Sequence, residues 1–220
     1  MAVDEATPRP GQRTGRRPGA TQSADVILDV ALQQFAEHGF GGVSIRSVAK
    51  TAKVDPALVR HFFATKEGLF AAAIRDALPP DRLAPVMEGD VAGIGERLVR
   101  TFLEIWETQP TRDKLFSILR SAVTHEGAAT MVRGFVEGEL LPPVMEAVGR
   151  PRADVRAGLV GAQLVGLALT RYVVETQPMA SLQVEMVVQA VAPTVQHYLT
   201  GELPDAVSET TGQPPSRSLA

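Results

Sequence analysis

Residues 39–70, GFGGVSIRSVAKTAKVDPALVRHFFATKEGLF, constrain the fold more than any other stretch of this chain. They encode two short helices, a tight turn between them and the start of a third helix. Ser44 is an N-cap residue, and Ile45, Val48 and Ala49 follow at the spacing of an amphipathic helix with one buried face. Lys53-Val54-Asp55 interrupts that pattern. Asp55 can cap the next helix, and Pro56 stands at its first position, where a missing N–H costs nothing. In this second helix Val59 and Phe63 share the inward face, with Val54 leading in, so Ala57, Arg60 and His61 point outward. Thr65-Lys66-Glu67-Gly68 then supplies a cap and an acidic first turn before Leu69, Phe70, Ile74 and Leu78 resume a helical stripe.

Two short helices with a small, mixed polar outer face match what the DNA major groove admits, since one helix enters the groove while the other crosses the backbone. The same hairpin also serves elsewhere as plain scaffold. The residues from Ile27 to Phe70, and in particular the AL..FAEHGF.....I..VA run and the F..KEGLF close, resemble the DNA-binding domain of the TetR family of transcriptional regulators. By that resemblance Leu32, Phe35, Ala36 and Gly39-Phe40 end the first helix, Ser44 to Ala52 form the second, and Pro56 to Phe63 form the recognition helix. The resemblance also implies that Lys66 meets a DNA phosphate at the start of the fourth helix, where physics favours an anion in any case. The implied DNA-contacting set is Ser44, Arg46, Lys53, Asp55, Pro56, Ala57, Leu58, Arg60, His61 and Lys66.

Four positions depart from the family pattern. Val43 stands where threonine is usual, which leaves capping to Ser44. Lys53 replaces a frequent glycine, so a positive φ there would cost ~1 kcal/mol, offset if the side chain meets a phosphate. Arg60 and Phe62 occupy places where tyrosine or histidine often touches the backbone; Arg60 keeps the chemistry to bind phosphate or guanine, and Phe62 does not. Leu58 can cover a thymine methyl or pack against the first helix.

Composition bounds the rest. With 220 residues, 45% of them apolar, the chain can bury a sizeable core, and the absence of cysteine excludes a disulfide framework and thiolate metal sites. The opening MAVDEATPRPGQRTGRRPG has no apolar core and does not read as a signal peptide. The longest apolar run, Ala157 to Thr170, is about 14 residues, short of the ~20 that span a bilayer. A cytoplasmic protein without membrane contact is the expectation. Net charge is −3 but unevenly spread: residues 1–66 hold nine Lys+Arg against six Asp+Glu, and residues 67–220 hold thirteen against nineteen. The basic front includes Arg9, Arg13, Arg16 and Arg17 in a Pro/Gly-rich arm, either a minor-groove and phosphate contact, with Arg16 and Arg17 nearest the domain, or a solubilising tail. No metal-ligand spacing joins His38, His61, His125 and His197, and no nucleotide, nucleophile or zinc motif is present. No enzyme and no cofactor are expected.

The sequence predicts an all-α chain divided into a disordered basic arm (1–20), a helix-turn-helix DNA-binding domain (21–81, with the motif at 44–63), a helical ligand-binding and dimerisation domain (82–200) and a disordered tail (201–220). Beyond Leu78 a connector to Asp90 should precede helices at Ile94–Thr108, Thr111–Val123 and Met131–Val148. Pro142-Pro143 must break the last of these. Asp154 should cap an apolar helix to Glu175, and Ser181 a final one to Thr200. Small residues Gly158, Gly161 and Ala162, with Val165, Leu169 and the stripe Val184, Val187, Val188, Val191 and Val195, suggest either the family's homodimer interface or an intrachain core. The resemblance further implies a pocket for a small apolar or amphipathic effector, drawn from Phe102, Trp106, Phe116, Met131, Phe135 and Met145 with Arg120, His125 and Gln163 as polar anchors. The chain should then act as a homodimeric repressor on a palindromic operator in double-stranded DNA. The alternative is an interaction module of the same fold that has lost operator binding.

Overall fold

The structure, a computed structural model, describes residues 18–204. The arm residues Arg9, Arg13, Arg16 and Arg17 and the tail from residue 205 lie outside the described residues. Eleven α-helices and no strand are found among them. The first four are α1 (Pro18–Gly42), α2 (Ile45–Ala52), α3 (Pro56–Phe63) and α4 (Lys66–Ala77). A connector with 3-10 turns at Pro80–Leu83 and Val91–Gly93 encloses the one-turn α5 (Ala84–Met87). Then come α6 (Ile94–Glu107), α7 (Thr111–Thr124), α8 (Glu126–Phe135), a π-turn (Val136–Leu140) and α9 (Pro142–Val148). The chain closes with α10 (Ala153–Ala168), a second π-turn (Leu169–Val173) and α11 (Val184–Thr200).

Local signals explain the head. Ser44 and Ser47 form a reciprocal capping box, each hydroxyl accepting from the other's backbone N–H at 3.0 Å. Asp55 Oδ1 accepts from Ala57 N–H at 2.6 Å and Thr65 Oγ1 from Gly68 N–H at 3.0 Å, so both later helices start on the residues the sequence marked. α1 breaks at Gly39, whose φ of 67° only glycine adopts freely, and the chain turns so that Phe40 folds back under Phe35 and Phe70. The three rings pack at 4.9 to 5.7 Å between centroids. Full burial of such side chains contributes ~1.5–3 kcal/mol each.

This core does not stop at the head. Ile118 of α7 and Ala128 and Phe135 of α8 belong to it, and α1 lies along α7. The boundary at residue 81 is therefore a chain boundary and not a gap in packing. A second core joins α6, α9, α10 and α11, with Leu103, Val144, Val160 and Val195 at its centre. Two arginines pin α10 into it. Buried Arg156 donates to Pro151 O, Tyr198 O, Leu199 O and Gly201 O, which caps the open carbonyls at the end of α11. Buried Arg171 holds Glu107 at 3.1 Å together with the carbonyls of Met179 and Leu182.

Two helix starts differ from the sequence expectation. α10 begins after Arg152, in the left-handed conformation (φ 62°), and Asp154 stands inside the first turn. α11 begins after Gln183, because the Ser181 hydroxyl bonds Gln177 and Pro178 O instead of a helix N–H. Pro142-Pro143 does break the chain, opening α9 where Pro is tolerated.

Candidate DNA-binding face and effector cavity

On the outer surface of α2 and α3, Ser44, Arg46, Lys53, Asp55, Ala57, Arg60 and His61 are exposed, and Pro56 and Leu58 are half-buried beside them. Lys50, one turn after Arg46, belongs to the same surface although the motif did not single it out; its signal was the i, i+4 spacing of two cations. Between residues 44 and 66 five Lys+Arg face one acidic residue, Asp55. Arg46, Lys50, Lys53 and Arg60 have no ion-pair partner among the described residues, which leaves four cations free for phosphates. Phe62 leans inward against the first core and against the His61 ring at 5.4 Å.

The turn geometry sets the relative placement of α2, α3 and α4. Lys53 has φ 55° and ψ 41°, so the left-handed turn that glycine would make easily is held by a lysine. Between α3 and α4, Ala64 has φ 59° and Thr65 N–H donates back to Phe63 O at 2.6 Å. A Cβ at Gly68 would stand 2.2 Å from Phe63 O, so only glycine permits this approach. Lys66 is thereby set under the head, but its ammonium is already engaged, donating to Phe40 O at 3.0 Å and lying 4.3 Å above the Phe40 ring. That leaves two of its three donors for an anion.

Behind the head lies an apolar cavity of about 220 Å³. Ile74 and Leu78 of α4, Leu98, Phe102 and Trp106 of α6, Ile118 of α7, Phe135 of α8 and Leu164 and Ala168 of α10 line it, and no titratable side chain does. Of the nine side chains marked for a pocket, Phe102, Trp106 and Phe135 meet here. The other six do not. Phe116 and Arg120 border a separate outer groove with Val123 and Leu169. Met145 borders a groove on the far side of α9, and Met131 packs on the head core. His125 lies against the α1 break, its ring 3.0 Å from where a Cβ on Gly39 would stand, and Gln163 does not line the cavity. Tyr172 stacks on Trp106 at 5.3 Å and donates to Glu107; burial and that contact push its phenol up to about 12.

The small-residue helix presents an uncovered face. Gly158, Ala162 and Val165 are exposed and Leu169 half-buried along α10, with Val155 beside them. On α11 the expected stripe turns out to divide. Val187, Val188 and Val195 are buried in the intrachain core against α6, and Val184 and Val191 are half-buried at its edge, because this is the most apolar side of the helix. Met186, Ala190 and Pro193 face outward instead. Gly161 is half-buried and lines the cavity as well. From Ala153 to Val173 the helix and its π-turn make 21 residues of mean hydropathy 1.2, longer than the sequence run suggested and long and apolar enough to cross a membrane. Arg156 and Arg171, each bonded into the core, tie this segment to the rest of the fold.

A capped helix-turn-helix with free cations, carried on a helical body with an apolar cavity, defines a helix-turn-helix regulator of the all-α kind. Two family models match the chain: the tetR family of bacterial regulatory proteins over residues 27–73 and the tetracyclin repressor-like C-terminal domain over residues 92–199. A TetR-family regulator from Streptomyces coelicolor A3 is 35% identical, with a TM-score of 0.60 over 84% of this chain and 98% of that one. The transcriptional regulatory protein RaaS of Mycobacterium tuberculosis is 51% identical over 43 residues, a match that spans only 20% of either chain. SmeT, solved as a triclosan complex, shares the fold at 20% identity, with a TM-score of 0.61 over 88% of this chain and 98% of that one. The chain belongs to the TetR family of transcriptional regulators, and it is not an enzyme.

Proposed function

We propose that this chain is a cytoplasmic homodimeric repressor that binds a palindromic operator and leaves it when a small apolar or amphipathic molecule fills the cavity. The observation that carries the proposal is the position of α4. Its first turn abuts the recognition helix through Gly68 and Phe63, and its last turn supplies Ile74 and Leu78 to the cavity wall. A ligand that displaces the end of α4 therefore displaces α3. Two recognition helices must lie ~34 Å apart to enter successive major grooves, so a ligand that favours another separation opposes binding through its differential affinity for the two states. A ligand with equal affinity for both would release nothing. The uncovered α10 face with Met186 and Pro193 supports the two-fold partner, and SmeT's complex with triclosan supports a small-molecule effector in this fold.

The test is a mobility-shift titration of the full chain on the DNA upstream of its own gene. Arg60→Ala should weaken operator binding by ~1–3 kcal/mol and relax sequence preference at one base position. Unchanged affinity and preference in a folded Arg60→Ala protein would remove α3 as the reading helix.

A further inference from the structure

We infer that the effector is an amphipathic cation, with its apolar body in the cavity and its charged head in the neighbouring groove between α9 and α10; the inference rests on the cavity being the effector site. No titratable group lines the cavity, so a polar or charged part of a ligand would find no partner inside and must lie outside it. There is one adjoining place for it. Val136, Leu141 and Gly161 are shared walls between the cavity and a groove of about 750 Å³. At Gly161 that wall has no side chain, and a Cβ built there would meet nothing within 4 Å.

The groove is acidic. Glu137 from the π-turn, Glu146 from α9 and Asp154 from α10 converge on it from three elements, and no basic side chain shares its walls. None of the three has an ion-pair partner among the described residues, whereas Glu139 of the same π-turn is taken by Arg75. Arg152, next but one to Asp154 in sequence, turns away to donate to Pro204 O at 2.6 Å. Three uncompensated carboxylates beside the apolar opening attract a cationic head and repel an anionic one. A carboxylic acid of the same shape is thereby disfavoured.

Size limits the body. An apolar cavity of about 150 Å³ accepts benzene, so about 220 Å³ suits a short chain or a substituted ring. The matched probes are octyltrimethylammonium, 1-octanol and octanoate, titrated calorimetrically and by quenching of Trp106 in the full chain. The expected order of affinity is cation, alcohol, carboxylate. The cation should exceed the alcohol about tenfold at low salt, as three exposed charges each contribute modestly, and the gap should narrow as salt screens them. Combining Glu137→Gln, Glu146→Gln and Asp154→Asn should bring the cation down to the alcohol and leave the alcohol unchanged, which also verifies the fold. Equal affinity of cation and alcohol in the unaltered chain, with Trp106 quenched by both, overturns the inference and leaves the cavity as effector site. Binding of none of the three overturns the cavity assignment and the inference with it.

Discussion

At the scale of the residue, Lys53 shows how the head sets binding against stability. Its backbone is left-handed, a conformation that costs an L-residue ~1–2 kcal/mol relative to the right-handed helix. Its side chain is exposed and unpaired on the face that carries Arg46, Lys50 and Arg60. Glycine would take the same φ without strain, so Lys53→Gly should stabilise the fold by ~0.5–1 kcal/mol in urea denaturation. The same change removes one phosphate contact, and the slope of log affinity against log salt should fall by about 0.9. A stability gain with an unchanged salt slope would place Lys53 off the DNA. Lys66 differs in kind: its bond to Phe40 O makes it part of the α1 break, so its loss should disturb folding as well as binding.

At the scale of the element, what was legible in the sequence follows from how local the cause is. Ser44, Asp55 and Thr65 cap their helices as their positions implied, because a cap is decided within three residues. Ser181 and Asp154 failed as caps for a non-local reason: the segment between α10 and α11 is fixed by Arg171, whose partners Glu107, Met179 and Leu182 no spacing rule joins. Likewise the valine stripe of α11 was visible, but not which surface it would cover. It went to α6 of the same chain, and the less apolar side was left outward. The cavity was legible only as a set of large apolar side chains, since Phe102 and Phe116 look alike until α7 is rotated into place. Dimer disruption should accordingly need the outward residues. Val155→Glu with Met186→Glu, at positions 37% and 57% exposed, adds carboxylates to an apolar face without touching the cavity. Sedimentation should show a monomer whose unfolding free energy stays within ~0.5 kcal/mol of the original, as expected for exposed sites. A double variant that still sediments as a dimer would move the contact elsewhere.

At the scale of the whole molecule, head and body form one mechanical unit. Lys114 of α7 bridges Asp29 of α1 at 3.0 Å and Asp76 of α4 at 2.7 Å, and Arg75 of α4 holds Glu139 of the π-turn at 2.9 Å. His125 closes the third contact against the α1 break. Burial pushes the Lys114 ammonium pKa down, but its two carboxylate bonds outweigh that and the net shift is upward, so this link holds through neutral pH and is lost only as pH rises past its usual alkaline value. Glu139 behaves oppositely. The Arg75 hydrogen bond holds its carboxyl below the usual value of 4.5 in the folded chain. A depressed carboxyl contributes stability that is fully present above the unfolded value and is lost as pH falls through the folded one. Acid should therefore loosen the π-turn from α4 before it melts either core. Hydrogen exchange of the α4 amides should rise in that window below pH 4.5 in the original protein. In Glu139→Gln the carboxylate is absent at every pH, so exchange there should already be raised at pH 7 and should show no further step. An acid step that survives Glu139→Gln would assign the loosening to another carboxylate, with Asp76 on Lys114 the next to replace.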